Sequence, residues 1–273
     1  MSQNFALFGS PISSSPSPRM HEAAFKALGI DADYSLRPAT LADISEIKNE
    51  LESGLWNGCN VTTPLKIELA KHFQLEGAAQ KARALNTIYG RNNSWLGALT
   101  DVEGVQVPLQ RRGIQKGDAL VIGAGGAARA ACLALEKLGM RVHVSSRRPE
   151  PAQAALGILA PVARGTIIGL DKQKELRELL EISEVIIQAT PLGRNGEMHE
   201  IPWERLSKNA IAFEMLYQPR TTPFLAKAVE CGLETIEGWE MLLHQGICSF
   251  TKWTGREAPE EVMRRALCSS FLP

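Results

Sequence analysis

The chain has 273 residues, of which 44% are hydrophobic and 22% are charged. Its 30 Lys and Arg residues balance its 30 Asp and Glu residues, so net charge gives no case for a nucleic-acid-binding protein or for one that binds anionic membranes. No apolar run approaches the roughly 20 residues of a membrane span, and the length predicts two domains.

The five cysteines are scattered and form no C-x-x-C pair. This pattern predicts reduced thiols in a cytoplasmic protein rather than disulfides or a metal site. The first residues lack a basic segment followed by a long apolar one, so no signal peptide is predicted.

The first hundred residues alternate strand and helix patterns and predict a small α/β domain. Strands are expected over residues 4–8, 34–38, 59–62 and 84–89, and residues 95–99 lead into Thr100 and Asp101. Helices are expected over residues 20–28 and 41–51, and a third is expected to begin near Pro64 and Lys66, since proline is favoured in a first helical turn. The domain boundary is placed near Asp101.

A loop rich in serine and proline follows the first strand. It carries Ser15 and Ser17 among several other serines. Hydroxyl groups crowded at a strand end suit an anion or a polyol, whereas the composition alone favours a flexible linker. Both alternatives stay open at the level of composition.

Residues 118–130, DALVIGAGGAARA, are typical of a nucleotide-binding turn. Four apolar residues predict a strand buried on both faces, and a small-residue helix is expected over residues 127–138. Between them, Gly123 permits a tight turn and Gly125 lets the backbone approach a pyrophosphate, while the helix N-terminus offers free N–H groups. Together with Ala124, Gly126 and Ala127, these residues predict a dinucleotide site.

The end of the next strand, over residues 141–144, predicts which dinucleotide is bound. An Asp or Glu placed there would accept the ribose 2′-hydroxyl of NAD, but the residues are Ser145, Ser146, Arg147 and Arg148. Guanidinium groups suit a 2′-phosphate through charge-assisted hydrogen bonds. The sequence therefore predicts NADP as the cofactor.

The rest of the chain completes a Rossmann-type, doubly wound domain, predicted over residues 102–238. An edge strand is expected over residues 166–170, further strands over 184–188 and 210–213 and up to Ile236, and helices over 172–180 and 222–231. Two last helices, over 239–253 and 259–267, are expected to pack back on the first domain. Residues 1–101 and 239–273 are thus predicted to form a substrate-binding and catalytic domain.

Nine stretches in chain order resemble shikimate dehydrogenases. They are GSPISSSPSPRMH, NVTTPLK, LNT, TDVEG, GAGGAARA, SSRR, ATPLG, EMLYQPRTTPFL and EGWEMLLHQG. The resemblance implies reversible reduction of 3-dehydroshikimate to shikimate by NADPH, without a metal, in the chorismate pathway of aromatic amino acid biosynthesis. It also implies a small-molecule, shikimate-like acid as the binding partner, and a monomer or homodimer that binds neither nucleic acid nor membrane.

The resemblance also implies roles for individual residues. Lys66 and Asp101 match the catalytic pair, and Ser15 and Ser17 match the serines that bind the substrate carboxylate. The ring-hydroxyl contacts are matched by Asp101 and by Thr62, Asn86, Tyr217 and Gln245. Further cofactor contacts are expected from Thr190, Met215, Gly238 and Met241, of which the last three match positions beside the nicotinamide.

The chemistry agrees with these residue types. Hydride transfer to a ketone develops negative charge on oxygen, which needs a proton donor and electrostatic stabilisation. Lys66 is able to supply both, with Asp101 orienting it. Without the resemblance, a lysine at a helix start is more often a surface residue. A helix N-terminus disfavours a cation, however, which slightly favours a functional role for Lys66.

Four departures from the family pattern point to a divergent paralogue. Ser14 stands where the family usually has His, Leu99 precedes Thr100 in place of a polar residue, Ser146 begins an altered cofactor motif, and Trp239 is bulkier than usual. Low shikimate turnover and a different preferred substrate both stay open. The alternatives are a quinate/shikimate dehydrogenase that uses NAD and a regulatory protein that binds NADPH with little activity.

Overall fold

A computed structural model describes residues 2–91 and 94–271, so that Met1, Asn92, Asn93, Leu272 and Pro273 lie outside the described part. The chain forms two compact units, Met1–Thr100 with Leu242–Pro273 and Asp101–Met241. The sequence-based division placed Asp101 and residues 239–241 in the first unit. The structure assigns them to the second, because Asp101 is the first residue of a helix in that unit and the start of the penultimate helix packs there against Leu216.

The first unit contains six strands and five helices or parts of helices within its described residues. The strands are β1 (Gln3–Gly9), β2 (Ala32–Pro38), β3 (Gly58–Val61), β4 (Gln74–Leu75), β5 (Thr87–Arg91) and β6 (Ser94–Ala98). The helices are α1 (Ser17–Ala27), α2 (Ile44–Glu52), α3 (Gly77–Ala82), the later part of α9 (Gly238–Thr254) and α10 (Glu260–Ser269). Short 3-10 helices occupy Leu41–Asp43 and Leu69–Lys71.

The six strands of this unit form one mixed sheet in the order β2-β1-β3-β5-β6-β4. β1 runs parallel to β2 and β3, whereas β5 runs antiparallel to both β3 and β6. Apolar residues of β1, β3 and α2 form a core with Leu65, Leu69 and Leu85. As expected from the sequence, the C-terminal helices belong here, and α10 packs on α1.

The second unit alternates strand and helix throughout. Its strands are β7 (Gly117–Ile122), β8 (Met140–Ser146), β9 (Arg164–Gly169), β10 (Ser183–Gln188), β11 (Ile211–Glu214) and β12 (Glu234–Ile236). Its helices are α4 (Asp101–Arg111), α5 (Gly126–Lys137), α6 (Pro149–Gly157), α7 (Gln173–Ile182), α8 (Pro223–Glu230) and the first turn of α9. Short 3-10 helices occupy Pro161–Ala163 and Trp203–Arg205.

All six strands of the second unit run parallel, in the order β12-β11-β10-β7-β8-β9. The two halves wind outward from β7 and β10, so the strand order reverses at the carboxyl end of β7, which is where doubly wound sheets bind their ligands. β9 is an edge strand, as predicted. The expected Rossmann-type architecture is therefore confirmed.

The helix expected to begin near Pro64 and Lys66 is wrong. Residues 63–68 form consecutive turns, and regular hydrogen bonding resumes only in the 3-10 helix at Leu69–Lys71. The backbone carbonyl of Lys66 accepts from the amide of Leu85 at 2.9 Å instead of from a residue one helical turn ahead. Pairing with a distant segment replaces the helix, so the helix-dipole argument for Lys66 does not apply.

Two short helices, α3 and α6, were not expected from the sequence, and α1 begins at Ser17 rather than at Met20. Each of these helix starts lies in a segment rich in proline or glycine, where turn and helix signals overlap. Within the described residues, no helix is long and apolar enough to cross a membrane.

Candidate active site

In the first unit, the loops after β1 and β3 emerge side by side. Phe8 pairs with Val61 in the parallel ladder, and the amide of Ser10 donates to the carbonyl of Thr63 at 2.9 Å. Gly9 has φ +150°, and a Cβ there would collide with the methyl group of Thr62. The close approach of the serine loop to Thr62 therefore requires glycine at this position.

The serine loop leads directly into α1. The hydroxyls of Ser15 and Ser17 lie 3.1 Å apart, and the amide of Ser17 lies 3.4 Å from the Ser15 hydroxyl. Ser17 is buried in the first turn of the helix, while Ser15 is half-buried. Two adjacent hydroxyls at a helix start are suited to an anion such as a carboxylate.

Lys66 lies in the neighbouring turn and is half-buried. Its backbone is tied to Leu85, and the amide of Val61 donates to the carbonyl of Asn86 at 2.8 Å. These two bonds bring the segment before β5 against the end of β3. Thr62 and Lys66, which follow β3, and Asn86, which precedes β5, thus lie in backbone segments that are hydrogen-bonded to each other or to the same strand.

The side chains of Asn86 and Gln245 meet directly. Asn86 Nδ2 donates to Gln245 Oε1 at 3.1 Å, and Gln245 Nε2 donates to the carbonyl of Leu242 at 2.9 Å. Both side chains are buried. Residues 159 positions apart therefore form one amide pair, which fits the ring-hydroxyl role that the resemblance implies for both.

Asp101 is the first residue of α4 and is 2% exposed. A carboxylate in a first helical turn interacts favourably with the partial positive charge of the helix N-terminus. Its backbone neighbour Thr100 donates its amide to Asn86 Oδ1 at 2.6 Å. The residue before Asp101 is thus fixed by one of the predicted substrate contacts.

In the second unit, the glycine turn between β7 and α5 has the geometry of a dinucleotide cradle. Gly123 has φ +117°, and its amide donates to the carbonyl of Ser145 at 2.9 Å. A Cβ on Gly125 would meet no atom within 4 Å, and no described side chain caps the amides at the start of α5. The turn formed by Gly123, Ala124, Gly125, Gly126 and Ala127 therefore leaves room and donors for a diphosphate.

The end of β8 carries the basic pair predicted to read the cofactor. Arg147 and Arg148 are exposed, and the amide of Arg148 lies 3.3 Å from the hydroxyl of Ser146. β8 lies next to β7 in the sheet, so these residues follow the strand adjacent to the glycine turn. The residues at this end suit a 2′-phosphate.

His199 was not predicted as a site residue, although its surroundings are those of the cofactor loop. Its Nε2 lies 3.3 Å from the hydroxyl of Thr190, which follows β10, and Thr190 also borders Gly123. Burial lowers the pKa of His199, and the charge of Arg147 lowers it further. The histidine is therefore near both predicted cofactor contacts, but its distance from the glycine motif in sequence left no local signal.

The loop after β11 carries Met215 and Tyr217 and is anchored by Glu214, another residue without a predicted role. Glu214 accepts from the amide of Leu216 at 2.9 Å and from the hydroxyl of Thr222 at 2.8 Å. Gly238 packs so closely on Leu216 that a Cβ would collide with its carbonyl. Met215 and Met241 are buried, and Tyr217 is half-buried.

The described residues contain no group of three or more His, Cys, Asp or Glu side chains arranged to hold a metal ion.

The polar residues Ser249 and Thr87 are a further part of the first unit that was not predicted to have a role in the site, although Ser249 lies one helical turn after Gln245. That spacing was the one available signal for it.

Comparison with known proteins gives matches along the whole chain. Residues 7–88 match the shikimate dehydrogenase substrate binding domain, and residues 238–268 match the shikimate 5′-dehydrogenase C-terminal domain. The shikimate dehydrogenase (NADP(+)) of Natronomonas pharaonis is 37% identical over 98% of this chain and 99% of its own length.

Solved structures agree. The shikimate 5-dehydrogenase of Thermus thermophilus in complex with NADP(H) and shikimate has a TM-score of 0.85 at 31% identity, covering 98% of this chain and 99% of that one. A quinate dehydrogenase of Corynebacterium glutamicum in complex with NAD has the same TM-score, 0.85, at 25% identity, covering the same shares of the two chains. The near-complete coverage at more than 30% identity decides the matter: the chain belongs to the shikimate dehydrogenase family.

Proposed function

We propose that this protein interconverts 3-dehydroshikimate and shikimate by NADP-dependent hydride transfer. The observation that carries the proposal is the full-length match to shikimate dehydrogenases that use NADP(+). The residues that the family motifs mark are present in this sequence, which supports the proposal. The quinate and NAD alternative is disfavoured, because the residues that end β8 are basic instead of acidic.

The second unit fits NADP. When bound, the cofactor supplies the hydride and accepts it back in the reverse direction. The glycine turn and the first amides of α5 would hold its diphosphate, and Ser146, Arg147 and Arg148 would bind the 2′-phosphate. Thr190 and Met215, which follow β10 and β11, are proposed as further contacts, together with Gly238 and Met241 in the first turn of α9.

The first unit is proposed as the substrate-binding unit. Ser15 and Ser17 would donate to the carboxylate of the substrate, because their hydroxyls lie 3.1 Å apart at the start of α1. Thr62, Asn86 and Gln245 would bind ring hydroxyls, as would Tyr217 of the second unit. Hydroxyls and amides both donate and accept, which suits a polyol.

Lys66 and Asp101 are proposed as the catalytic pair. The Lys66 ammonium would donate a proton to the ketone oxygen as negative charge develops there, and it would take the proton back in the oxidative direction. Asp101 would bind a neighbouring hydroxyl and keep Lys66 oriented. No metal is required for this proton transfer.

The domain roles, the cytoplasmic location and the monomer-or-homodimer state stay predictions. Residues 1–101 with 239–273 are proposed as the substrate domain and residues 102–238 as the NADP domain. These limits differ by a few residues from the compact units of the structure.

The test is a dehydrogenation screen of shikimate and quinate, each with NADP+ and with NAD+, in which the absorbance of the NADPH or NADH formed is measured. We expect the highest kcat/KM with shikimate and NADP+. In Arg147→Ala and Arg148→Ala, KM for NADP+ should rise about tenfold or more for each lost charge-assisted contact, since such a contact contributes about 1.5–3 kcal/mol. KM for NAD+ should change little.

Three outcomes would contradict the proposal. A preference for quinate with NAD+ would favour the quinate dehydrogenase alternative. NADPH binding without turnover of either acid would favour a regulatory protein. An equal rise in KM for NADP+ and for NAD+ in the arginine variants would contradict the assignment of Arg147 and Arg148 to the 2′-phosphate.

A further inference from the structure

The first unit contains a buried cluster of hydroxyls and amides behind the Asn86–Gln245 pair. It consists of Asn60, Asn86, Thr87, Thr100, Gln245 and Ser249, which we call the polar cluster. All six side chains are buried, and Thr87 and Ser249 have no exposed surface. Burial of so many polar groups is costly unless each has a partner, so their connections define a specific geometry.

Ser249 is the point at which this cluster converges. Its Oγ lies 2.8 Å from Thr87 Oγ1 and 3.0 Å from Thr100 Oγ1, and it accepts from Asn60 Nδ2 at 3.0 Å. The fourth contact is the carbonyl of Gln245, 2.9 Å away and one turn earlier in α9. A hydroxyl has one hydrogen to donate and two lone pairs, so three of these four contacts at a time saturate its hydrogen-bonding capacity.

The contacts of Ser249 lead to Asn86 and Gln245, the two amide side chains proposed to bind the substrate. Through Thr100, it reaches Asn86, because Asn86 Nδ2 donates to Thr100 Oγ1 at 2.9 Å. Through its bond to the Gln245 carbonyl, it fixes the turn of α9 that carries the Gln245 side chain. Asn60 closes the cluster from β3, because its Nδ2 also lies 3.1 Å from Thr87 Oγ1 and from the carbonyl of Asn86 and shares its two hydrogens among these acceptors and Ser249.

We propose that Ser249 is a positioning residue for substrate binding, whose hydroxyl holds Asn86 and Gln245 in the orientation that receives a ring hydroxyl. This inference rests on the proposed function and identifies a residue outside the family motifs. Ser249 itself is fully buried and does not touch the substrate. Its effect is therefore on the affinity for the hydroxylated ring.

The helix offers a matched control. Thr251, two residues later, is exposed, and its hydroxyl makes the same type of bond to the carbonyl four residues earlier, Ile247, at 3.1 Å. Thr251→Ala removes that bond without touching the polar cluster. Any general effect of losing a side-chain bond along α9 is thereby measured separately.

The experiment compares Ser249→Ala and Thr251→Ala with the unchanged protein, in steady-state kinetics with shikimate and NADP+ well below the unfolding temperature. For Ser249→Ala we expect KM for shikimate to rise roughly five- to tenfold, the size of one lost neutral hydrogen bond. KM for NADP+ should be unchanged and kcat should fall less than KM rises. Thr251→Ala should match the unchanged protein.

Substrate analogues sharpen the test. Two shikimate analogues are measured, each lacking one of the two hydroxyls that do not react, at C4 or at C5. With the analogue that lacks the partner of the amide pair, the ratio of KM between Ser249→Ala and the unchanged protein should shrink toward one. If Ser249→Ala does not fold, Ser249→Cys is measured in the same way, because a thiol of similar size is a weaker donor and acceptor. It should give a smaller rise in KM in the same direction.

The proposal would be overturned by a lower unfolding temperature in Ser249→Ala with KM for shikimate unchanged, since the hydroxyl would then be purely structural. The same ratio of KM between Ser249→Ala and the unchanged protein on shikimate and on both deoxy analogues would also overturn it. If the unchanged protein neither binds nor oxidises shikimate, the proposed function fails and this assignment falls with it. Activity in the unchanged protein separates the two failures.

Discussion

At the scale of single residues, Lys66 shows how the side chain proposed as the proton donor is held without regular secondary structure. Its turn is fixed at one end by the bond from Leu65 to the carbonyl of Thr62 and at the other by the bond from Leu85 to its own carbonyl, each 2.9 Å long. The ammonium group therefore extends from a backbone defined on both sides. Such a position suits a proton donor that must keep its orientation during turnover.

The catalytic proposal predicts a large and non-additive loss of rate. Lys66→Ala should lower kcat for shikimate by roughly 10²–10⁴-fold with a modest effect on KM, because general acid–base help is made mainly in the transition state. Asp101→Asn should also slow turnover. The double variant should be little slower than Lys66→Ala, since both residues serve one step.

Steady-state kinetics with NADP+ in excess check this prediction, and Lys71→Ala is a suitable control. Lys71 lies on the following 3-10 helix and is exposed in an ion pair with Glu68, so its removal should leave kcat unchanged. A Lys66→Ala variant with near-normal kcat on shikimate would show that another group moves the proton.

Two of the departures from the family pattern have a structural setting. Leu99 is buried next to Thr100, so an apolar side chain there lies in a suitable environment, although it adds no hydrogen bond to the polar cluster. Ser14 is exposed in the serine loop. Nothing in the structure explains why Ser14 replaces the usual histidine.

At the scale of elements, the start of α9 and the loop after β11 depend on each other. Gly238 contacts the carbonyl of Leu216 so closely that no side chain fits between them. Glu214 holds the same loop from its other side through the amide of Leu216 and the hydroxyl of Thr222. The loop that carries Met215 and Tyr217 is therefore held by the close contact of Gly238 on one side and by the Glu214 carboxyl on the other.

Gly238→Ala should displace this loop. The added Cβ meets backbone instead of a flexible side chain, so the free energy of unfolding should fall by about 1–3 kcal/mol. KM for shikimate and for NADP+ should both rise if Tyr217 and Met215 contact the two ligands as proposed. Urea unfolding and steady-state kinetics measure the two effects.

Gly232→Ala provides a comparison for that variant. Gly232 ends the preceding helix with φ +74°, and a Cβ there would meet no atom within 4 Å. The Gly232→Ala variant should therefore be destabilised by backbone strain alone, and its KM for shikimate and KM for NADP+ should be unchanged. Equal KM changes in the two variants would contradict the loop mechanism.

At the scale of the whole molecule, two buried groups give stability opposite dependences on pH. His21 is fully buried in the first unit, stacked on the ring of Tyr34 at 4.7 Å, and neither ring nitrogen has a hydrogen-bond partner among the described residues. Burial lowers the pKa of His21 to about 3. In the second unit, burial raises the pKa of Glu214 to about 8, although the bonds from Leu216 and Thr222 act in the opposite direction.

These shifts predict the sign of each pH effect. Neutral His21 contributes full stability above its ordinary pKa of 6.5, and that stability is lost as the pH falls from 6.5 toward 3. Neutral Glu214 is favoured in the folded state, so its contribution is lost as the pH rises from 4.5 through 8. Their combined contribution should be highest and nearly level between pH 4.5 and 6.5.

Urea unfolding between about pH 3 and pH 8, in the unchanged protein and in two variants, checks the prediction. Relative to the unchanged protein, His21→Phe should gain stability progressively below pH 6.5 and Glu214→Gln should gain it above pH 4.5, by up to about 1.4 kcal/mol per pH unit in each case. The two variants act in different units, so each is a control for the other. Parallel pH curves for a variant and the unchanged protein would contradict the role of that residue.

The sequence by itself determined the architecture of the second unit and the family. The apolar run before Gly123 and the small residues after it are local signals, since strand burial and turn geometry depend on neighbouring residues. The basic residues at the end of β8 were an equally local signal, in this case for the 2′-phosphate of NADP. The prediction of a doubly wound, NADP-binding fold followed from them.

Only the tertiary structure decided the backbone at Lys66 and the partners of Ser249 and Glu214. The Lys66 carbonyl bonds to Leu85, and the Ser249 hydroxyl meets Asn60, Thr87 and Thr100, which are 149 or more residues away. Periodicity records which face of an element is buried, but it does not record which distant polar group lies opposite. The packing of the sheet and α9 chooses those partners, because a buried polar group must find one.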